Sequence, residues 1–210
     1  MKKIKSTEEQ VITEISEDDY PDVLKACGCS LCDNFQITDI NRPMYLYLLK
    51  YFVNHVDLSP EEKKKGLLLM GNYGSGKTLA MRTFDSFLIK IKRFGYYMFN
   101  SSELIDAFTT HGRPGISLFN RDYAICIDDL GSDPGKHAYF GELDDPTEVL
   151  LLKRYEMFVK SGIRTHATTN LDPKTLKLRF SERIYDRMRQ MFNIVVFNGE
   201  SWRRLLDKQQ

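Results

Sequence analysis

Gly71-Asn72-Tyr73-Gly74-Ser75-Gly76-Lys77-Thr78 fits G-x-x-x-x-G-K-[ST] at every constrained position, and it directly follows the apolar run Gly66-Leu67-Leu68-Leu69-Met70. A strand, a glycine-rich turn and a helix in that order form a phosphate loop. The glycines let successive backbone N–H groups face inward at phosphate oxygens, and the helix opening after Gly76 adds the positive end of its dipole. The sequence thus predicts a nucleoside triphosphate site built from Gly71, Asn72, Tyr73, Gly74, Ser75, Gly76, Lys77, Thr78 and Leu79. Lys77 is expected on the β and γ phosphates and Thr78 on Mg²⁺.

Downstream of the loop the pattern alternates strand and helix, which indicates a parallel sheet covered on both faces. The expected strands are Gly66 to Met70, Tyr96 to Asn100, Tyr123 to Asp128, Arg164 to Asn170 and Ile194 to Phe197. Leu79, Phe84, Phe87, Leu88 and Ile91 mark the inner face of a first helix, and Leu104, Ile105 and Phe108 that of a second. A third runs from about Thr147 to Lys160, opened by Asp144-Asp145-Pro146 and stopped at Gly162. Upstream, Pro43 suits a first helical turn, and Met44, Leu48, Tyr51, Phe52 and His55 recur at helical spacing as core residues.

Tyr123-Ala124-Ile125-Cys126-Ile127-Asp128-Asp129 is an apolar strand ending in two carboxylates. Asp128 is expected to hold the metal and Asp129 to orient or deprotonate the attacking water. Thr165-His166-Ala167-Thr168-Thr169-Asn170 ends in polar residues where a sheet core is normally apolar, so Asn170 is expected at the γ-phosphate or the water. A turn formed by Asn170, Asp172 and Pro173 is the rival explanation, and His166 reads as structural. Arg183 and Arg187 are four apart on one helix face. They suit delivery of a guanidinium to a neighbouring subunit's γ-phosphate, or pairing with Glu182 and Asp186 within the helix.

At 210 residues the chain is long enough to bury a sizeable core. Its net charge of +1 hides an asymmetry. Residues 1 to 40 hold four Lys against nine Asp and Glu, whereas residues 174 to 210 hold nine Lys and Arg against four Asp and Glu. Residues 1–40 are turn-rich and poorly periodic, apart from a short helix near Glu8 to Ile15, and read as an arm or partner-binding adaptor before an ATPase domain at 41–210. No apolar stretch spans a bilayer and no signal core follows Met1, so a cytoplasmic location without membrane contact is expected. Cys27, Cys29 and Cys32 would hold zinc only with a fourth ligand such as Asp33 or His55. Reduced thiols in a surface loop are the simpler reading.

GNYGSGKT, AICIDDLG, THATTN, RIYDRMR and FNGESWR, in that order, resemble the DnaC/IstB branch of the AAA+ ATPases, which contains helicase loaders and the ATPase helpers of transposases. The resemblance covers about residues 41 to 205. It implies an α/β P-loop NTPase fold with a five-stranded parallel sheet in the order 5-1-4-3-2 and no separate helical lid domain. It also implies ATP and Mg²⁺ as cofactors, Asn170 as sensor 1, Arg187 or Arg183 as the trans arginine finger and Arg203 as the second sensor. The implied partners are a replicative helicase or a transposase, single-stranded DNA in the pore of a homo-oligomer, and slow, partner-stimulated ATP hydrolysis.

Asp129 departs from the Glu of many AAA+ members, and the loop from Ser132 to Asp145 is longer than the pattern implies. Tyr96, Tyr97 and Phe99, with Lys90, Lys92 and Arg93 before them, suit either DNA stacking or core packing. An ATP-gated adaptor with little hydrolysis is a further alternative. A small-molecule kinase using the same loop would leave the polar Asn170 strand and Arg183 with Arg187 unexplained.

Overall fold

A computed structural model describes residues 15–53 and 58–197. The elements, in chain order, are α1 (Tyr20–Leu31), α2 (Arg42–Phe52), α3 (Pro60–Lys64), β1 (Gly66–Met70), α4 (Lys77–Lys90), β2 (Tyr97–Asn100), α5 (Ser101–His111), α6 (Arg113–Ser117), β3 (Ile125–Asp128), β4 (His137–Tyr139), β5 (Glu142–Asp144), α7 (Pro146–Ser161), β6 (Thr165–Thr169), α8 (Pro173–Arg179), α9 (Glu182–Met191) and β7 (Phe192–Val196). Five parallel strands form one sheet in the order β2-β3-β6-β1-β7, and β4 pairs with β5 as a separate hairpin. Numbered among themselves, the five sheet strands run 5-1-4-3-2, the expected order. Among the described residues no helix is long and apolar enough to cross a membrane.

Both faces of the sheet are buried, which is why β1 and β3 are continuous apolar runs. In β1, Leu67 and Leu69 face a cluster with Tyr20, Leu24, Tyr45, Leu48, Phe84 and Phe87, whereas Leu68 and Met70 face Phe108, Leu150, Ile184 and Met188. Helices α1, α2 and α4 cover the first face and α5 to α9 the second. Each fully buried Leu or Phe contributes about 2 kcal/mol relative to exposure. Truncating Leu69, with 0% exposure, to Ala would cost about 2 to 5 kcal/mol, because the packed neighbours relax only partly into the space.

Helix boundaries follow local chemistry. Asp145 caps α7 by accepting the Thr147 and Glu148 amides, and Gly162 ends it in the left-handed conformation, as expected. Asn100 and Glu103 form a reciprocal cap at the start of α5. Inside α7, Arg154 is wholly buried. Its guanidinium donates to Thr165 Oγ1 and to the carbonyls of Arg121, Tyr123 and Arg164, tying α7 to the segments leading into β3 and β6. Burial lowers its pKa to about 10.

Three expectations differ from the structure. Residues 20–35 are not loop-like: α1 packs on α4, Tyr20 meets Phe87 edge to face at 5.4 Å, and Tyr20, Leu24 and Cys27 share the core of the first face. The signal was hidden because one of its three inward positions is a cysteine and the surrounding residues are acidic. The segment from Arg179 to Arg189 is two helices, broken at Phe180-Ser181. The last strand begins at Phe192, two residues before the expected start. The proposed helix near Glu8 lies outside the described residues except for Ile15, which is not helical.

Candidate functional site

The chain leaves β1 at Gly71, where a Cβ would lie 2.5 Å from the Phe197 carbonyl oxygen. Any larger residue would force β1 and the β7 exit apart. The loop then curls to Gly76, whose φ of 94° is the left-handed conformation that glycine takes without penalty, and α4 starts at the next residue. Lys77 is therefore the first helical residue, and only 5% of it is exposed. Its Nζ donates to the carbonyls of Gly71 at 2.8 Å and Asn72 at 2.9 Å and to Asn170 Oδ1 at 2.8 Å. Burial lowers its pKa, and the carboxylates of Asp129 and Asp128 pull it back up.

Strand β3 delivers both carboxylates. Asp128 Oδ1 accepts the Thr78 hydroxyl at 2.9 Å and the Thr168 hydroxyl at 2.5 Å. Thr168 Oγ1 in turn accepts the Asp129 amide at 3.0 Å. Asp129 has a φ of 56°, a left-handed turn that Asp tolerates better than most residues and that costs about 1 kcal/mol. The Ser101 hydroxyl lies 3.0 and 3.1 Å from the Asp128 and Asp129 carbonyls and steadies the turn. The turn aims the Asp129 carboxylate at Asn170, whose Nδ2 donates to it at 2.7 Å.

Asn170 thus spans the site, with its carbonyl on the Lys77 ammonium and its amino group on Asp129. Only this orientation of the amide satisfies both partners, since an ammonium only donates and a carboxylate only accepts. The rival sequence reading, a simple turn at Asn170, does not account for these bonds. The polar residues of β6 are all buried and all engaged. Thr165 accepts from Arg154, His166 Nδ1 accepts the Leu67 amide at 3.1 Å, and Thr169 donates to the Leu130 carbonyl. His166 is structural, as expected, and burial holds it neutral with a pKa of about 3.

Compared by sequence, the chain matches no family model and no curated protein. Compared as a structure, it is similar to DnaI, with a TM-score of 0.60 and 17% identity over 86% of this chain and 92% of that one. It is also similar to the DnaC helicase loader, with a TM-score of 0.57 and 22% identity over 79% of this chain and 95% of that one. A third likeness is to the replication initiator DnaA solved with AMPPCP and single-stranded DNA, at TM-score 0.58 and 15% identity over 84% of this chain and 53% of that one.

The fold is shared with DnaI and the DnaC helicase loader.

Within this fold, a cleft of about 450 Å³ opens between the loop and the first-face helices. Tyr73 to Leu79, Asp129 and Asn170 line one side. The other side comes from the α1–α2 connection, through Asn34, Phe35, Gln36, Asn41 and Tyr45. That wall is not marked by any motif in the sequence. Asn41 shapes it by accepting the Thr38 amide at 2.8 Å and donating to the Gln36 carbonyl at 3.1 Å. Phe35 packs against both Tyr45 and Gly28, where a Cβ would collide with its ring at 2.3 Å. Asn34 and Asn41 flank ordinary loop residues, so no local motif marks them.

Other expected residues fall elsewhere in the fold. Arg187 lies over the Tyr155 ring at 4.8 Å, with Nη1 buried and unpartnered among the described residues, and Arg183 is exposed. Neither lines the cleft, and among the described residues neither pairs with Glu182 or Asp186. Arg203 and His55 lie outside the described residues.

Cys27 and Cys29 sit two apart on α1, so they point to opposite sides, one buried and one exposed, and Cys32 follows the helix. Cys27 and Cys29 are therefore helical and not loop thiols, whereas Cys32 lies in the loop as expected, and among the described residues no group of three or more His, Cys, Asp and Glu side chains is arranged to hold a metal ion. Tyr96 and Phe99 are buried core residues, and Tyr97 packs beneath the Arg121 guanidinium.

The long loop after Asp129 contains the β4–β5 hairpin and a compact ion network. Arg179, at the end of α8, donates to Asp133 Oδ1 at 2.5 Å and Asp145 Oδ2 at 2.6 Å, and its Nε donates to the Asp133 carbonyl. The network joins the segment after Asn170 to the segment after Asp129. It was not visible from the sequence, because its members are spread over residues 133 to 179.

Proposed function

We propose that this chain binds ATP with Mg²⁺ in the cleft, hydrolyses it, and works as a DnaC-like loader that places a replicative helicase on single-stranded DNA. The observation that carries the reading is the convergence of Lys77, Asn170 and Asp129 in one hydrogen-bonded chain beside the Thr78–Asp128 pair. The Lys77 ammonium, held on its own loop's carbonyls, is in position to turn to phosphate oxygens. The loop amides and the first turn of α4 add the positive potential that a polyphosphate needs.

Thr78 Oγ1 and Asp128 Oδ1 are hard oxygen donors 2.9 Å apart, a set that suits Mg²⁺. When bound there, the ion would neutralise charge on the phosphates. Thr168 holds Asp128 in place for that task. Asp129 would orient the attacking water and take its proton. Asn170, in contact with both Lys77 and Asp129, would make the water's alignment depend on whether a γ-phosphate is present. Arg187, or Arg183, would reach the γ-phosphate of a neighbouring copy in an ATP-bound homo-oligomer. Within residues 1–40, those not packed into the first-face core or the cleft wall would recruit the partner.

DnaI, DnaC and the DnaA structure with AMPPCP and single-stranded DNA support the reading, as proteins that share this fold. The test couples binding to turnover. Lys77→Ala should lose binding of a fluorescent ATP analogue, whereas Asp129→Asn should keep binding and lose about 10²- to 10⁴-fold in phosphate release. Normal turnover by Asp129→Asn would remove the role of Asp129 in hydrolysis, whereas absence of turnover in the wild-type protein despite ATP binding would leave an ATP-gated adaptor. Capture by full-length protein of a transposase instead of a helicase would reassign the partner.

A further inference from the structure

At the other end of the sheet, where β2, β3 and β6 begin, there is a second concavity of about 450 Å³. Lys63, Lys92, Arg93 and Arg164 contribute to its lining, and no described residue lining it is acidic. Tyr51, Phe52 and Tyr96 supply ring surfaces, and the Arg164 guanidinium lies 5.8 Å from the Tyr51 ring. A groove of about 690 Å³ shares Phe94, Tyr96 and Arg164 with this concavity and extends past Ile89 and Tyr123.

The loop between the two is held in an unfavourable state. Helix α4 ends with the Arg93 amide bonded to the Leu88 carbonyl and the Lys92 amide to the Ile89 carbonyl, the paired pattern that normally uses glycine at the left-handed position. Here Lys92 takes that position, with φ 56°, a conformation that disfavours a side chain with a Cβ. The turn projects Phe94, which is 100% exposed, beside an exposed Ile89 and Tyr123. A strained cation and a fully solvated phenyl ring do nothing for folding. Side by side at the mouth of a cationic concavity, they suit a ligand that carries both phosphates and flat rings.

We infer that this edge holds single-stranded nucleic acid, with phosphates among Lys63, Lys92, Arg93 and Arg164 and a base stacked on Phe94. An acidic peptide would satisfy the cations but offers Phe94 no flat partner. The inference rests on the single-strand part of the function proposed above and assigns it a surface remote from the nucleotide cleft.

The test measures binding of labelled oligothymidylate to the full-length protein by fluorescence anisotropy over a salt series, with ATP-analogue affinity measured in parallel. The double variant Lys92→Asn/Arg93→Gln removes two charges, and Asn accepts the left-handed turn. It should bind about tenfold more weakly, and the log–log salt slope should flatten by about 1.4, at about 0.7 for each phosphate no longer neutralised. Phe94→Ala should weaken binding about tenfold without changing the slope. Both variants should keep the wild-type ATP-analogue affinity.

Wild-type strength and slope in the double variant would overturn this surface and leave the loader reading standing. Absence of oligothymidylate binding by the wild-type protein, with and without ATP analogue, would overturn both. If the variants lost binding of a polyglutamate peptide but kept that of oligothymidylate, the inference would also fall, in favour of an acidic protein partner.

Discussion

Thr168 and Asp128, 40 residues apart in sequence, share a hydrogen bond of 2.5 Å in which the hydroxyl donates to the carboxylate. The same hydroxyl oxygen accepts the amide of Asp129. One side chain on β6 therefore sets both the carboxylate expected at the metal and the backbone turn that aims the expected base.

Thr168→Val keeps the shape and removes both bonds, leaving the Asp129 amide unpaired and Asp128 without a buried donor. A loss of about 1 to 3 kcal/mol is expected in urea unfolding, with weaker Mg²⁺-dependent ATP-analogue binding. Thr168→Ser should recover most of both. Wild-type stability and affinity in Thr168→Val would show that the hydroxyl does not position the pair.

His166 makes stability pH-dependent. Its pKa is about 3 in the folded chain against an ordinary 6.5, because it is wholly buried and faces the Arg164 and Arg154 charges. Below pH 6.5 the unfolded chain binds a proton that the folded chain refuses until about pH 3. The stability this residue contributes is therefore complete above pH 6.5 and falls as pH drops towards 3, by up to about 1.4 kcal/mol per pH unit. In His166→Asn, whose side-chain oxygen can still accept the Leu67 amide, the slope of stability between pH 6 and pH 4 should be shallower by about one proton's worth. Equal slopes in the two proteins would refute the assignment.

The trans role proposed for Arg187 can be tested by subunit mixing. Arg187→Ala should bind ATP analogue normally and lose about 10³- to 10⁵-fold in hydrolysis. Mixed with Lys77→Ala, itself inactive, it should regain part of the activity, because a Lys77→Ala subunit still offers Arg187 to an intact neighbouring cleft. Recovery with an Arg183→Ala/Lys77→Ala partner but not with an Arg187→Ala/Lys77→Ala partner identifies Arg187 as the finger. If Arg183→Ala is instead the variant that loses hydrolysis, and it recovers with an Arg187→Ala/Lys77→Ala partner but not with an Arg183→Ala/Lys77→Ala partner, Arg183 is the finger. Full hydrolysis by assembled, ATP-saturated Arg187→Ala would eliminate Arg187.

Arg179→Met should cost about 3 to 5 kcal/mol, since it leaves Asp133, 5% exposed, and Asp145, 13% exposed, with uncompensated charge. A fall in melting temperature measured by calorimetry is expected at pH 7. A variant as stable as the parent at pH 7 would mean that solvent already screens the pair.

Most of the sheet was legible because its strands are short apolar runs separated by helices with clear caps, as at Asp145 and Gly162. The phosphate loop and the Asp128-Asp129 strand end were legible for a different reason. Their chemistry needs consecutive residues, so the pattern survives in one dimension. Helix α1 escaped because Cys27 counted as a thiol and not as a small apolar side chain. The cleft wall at Asn34 to Tyr45 escaped because any loop can carry those residues.

By itself the sequence determined the glycine cradle with its Lys77 and Thr78, the carboxylate pair and the alternation that builds a two-faced parallel sheet. Each of these is specified by neighbours along the chain. Tertiary structure alone decided which groups meet them. Asn170 reaches Lys77 across 93 residues and Asp129 across 41, and Arg179 reaches Asp133 across 46. The reason is the crossover order, which sets β6 between β1 and β3 and so brings the polar end of one strand between the loop of the second and the carboxylates of the third.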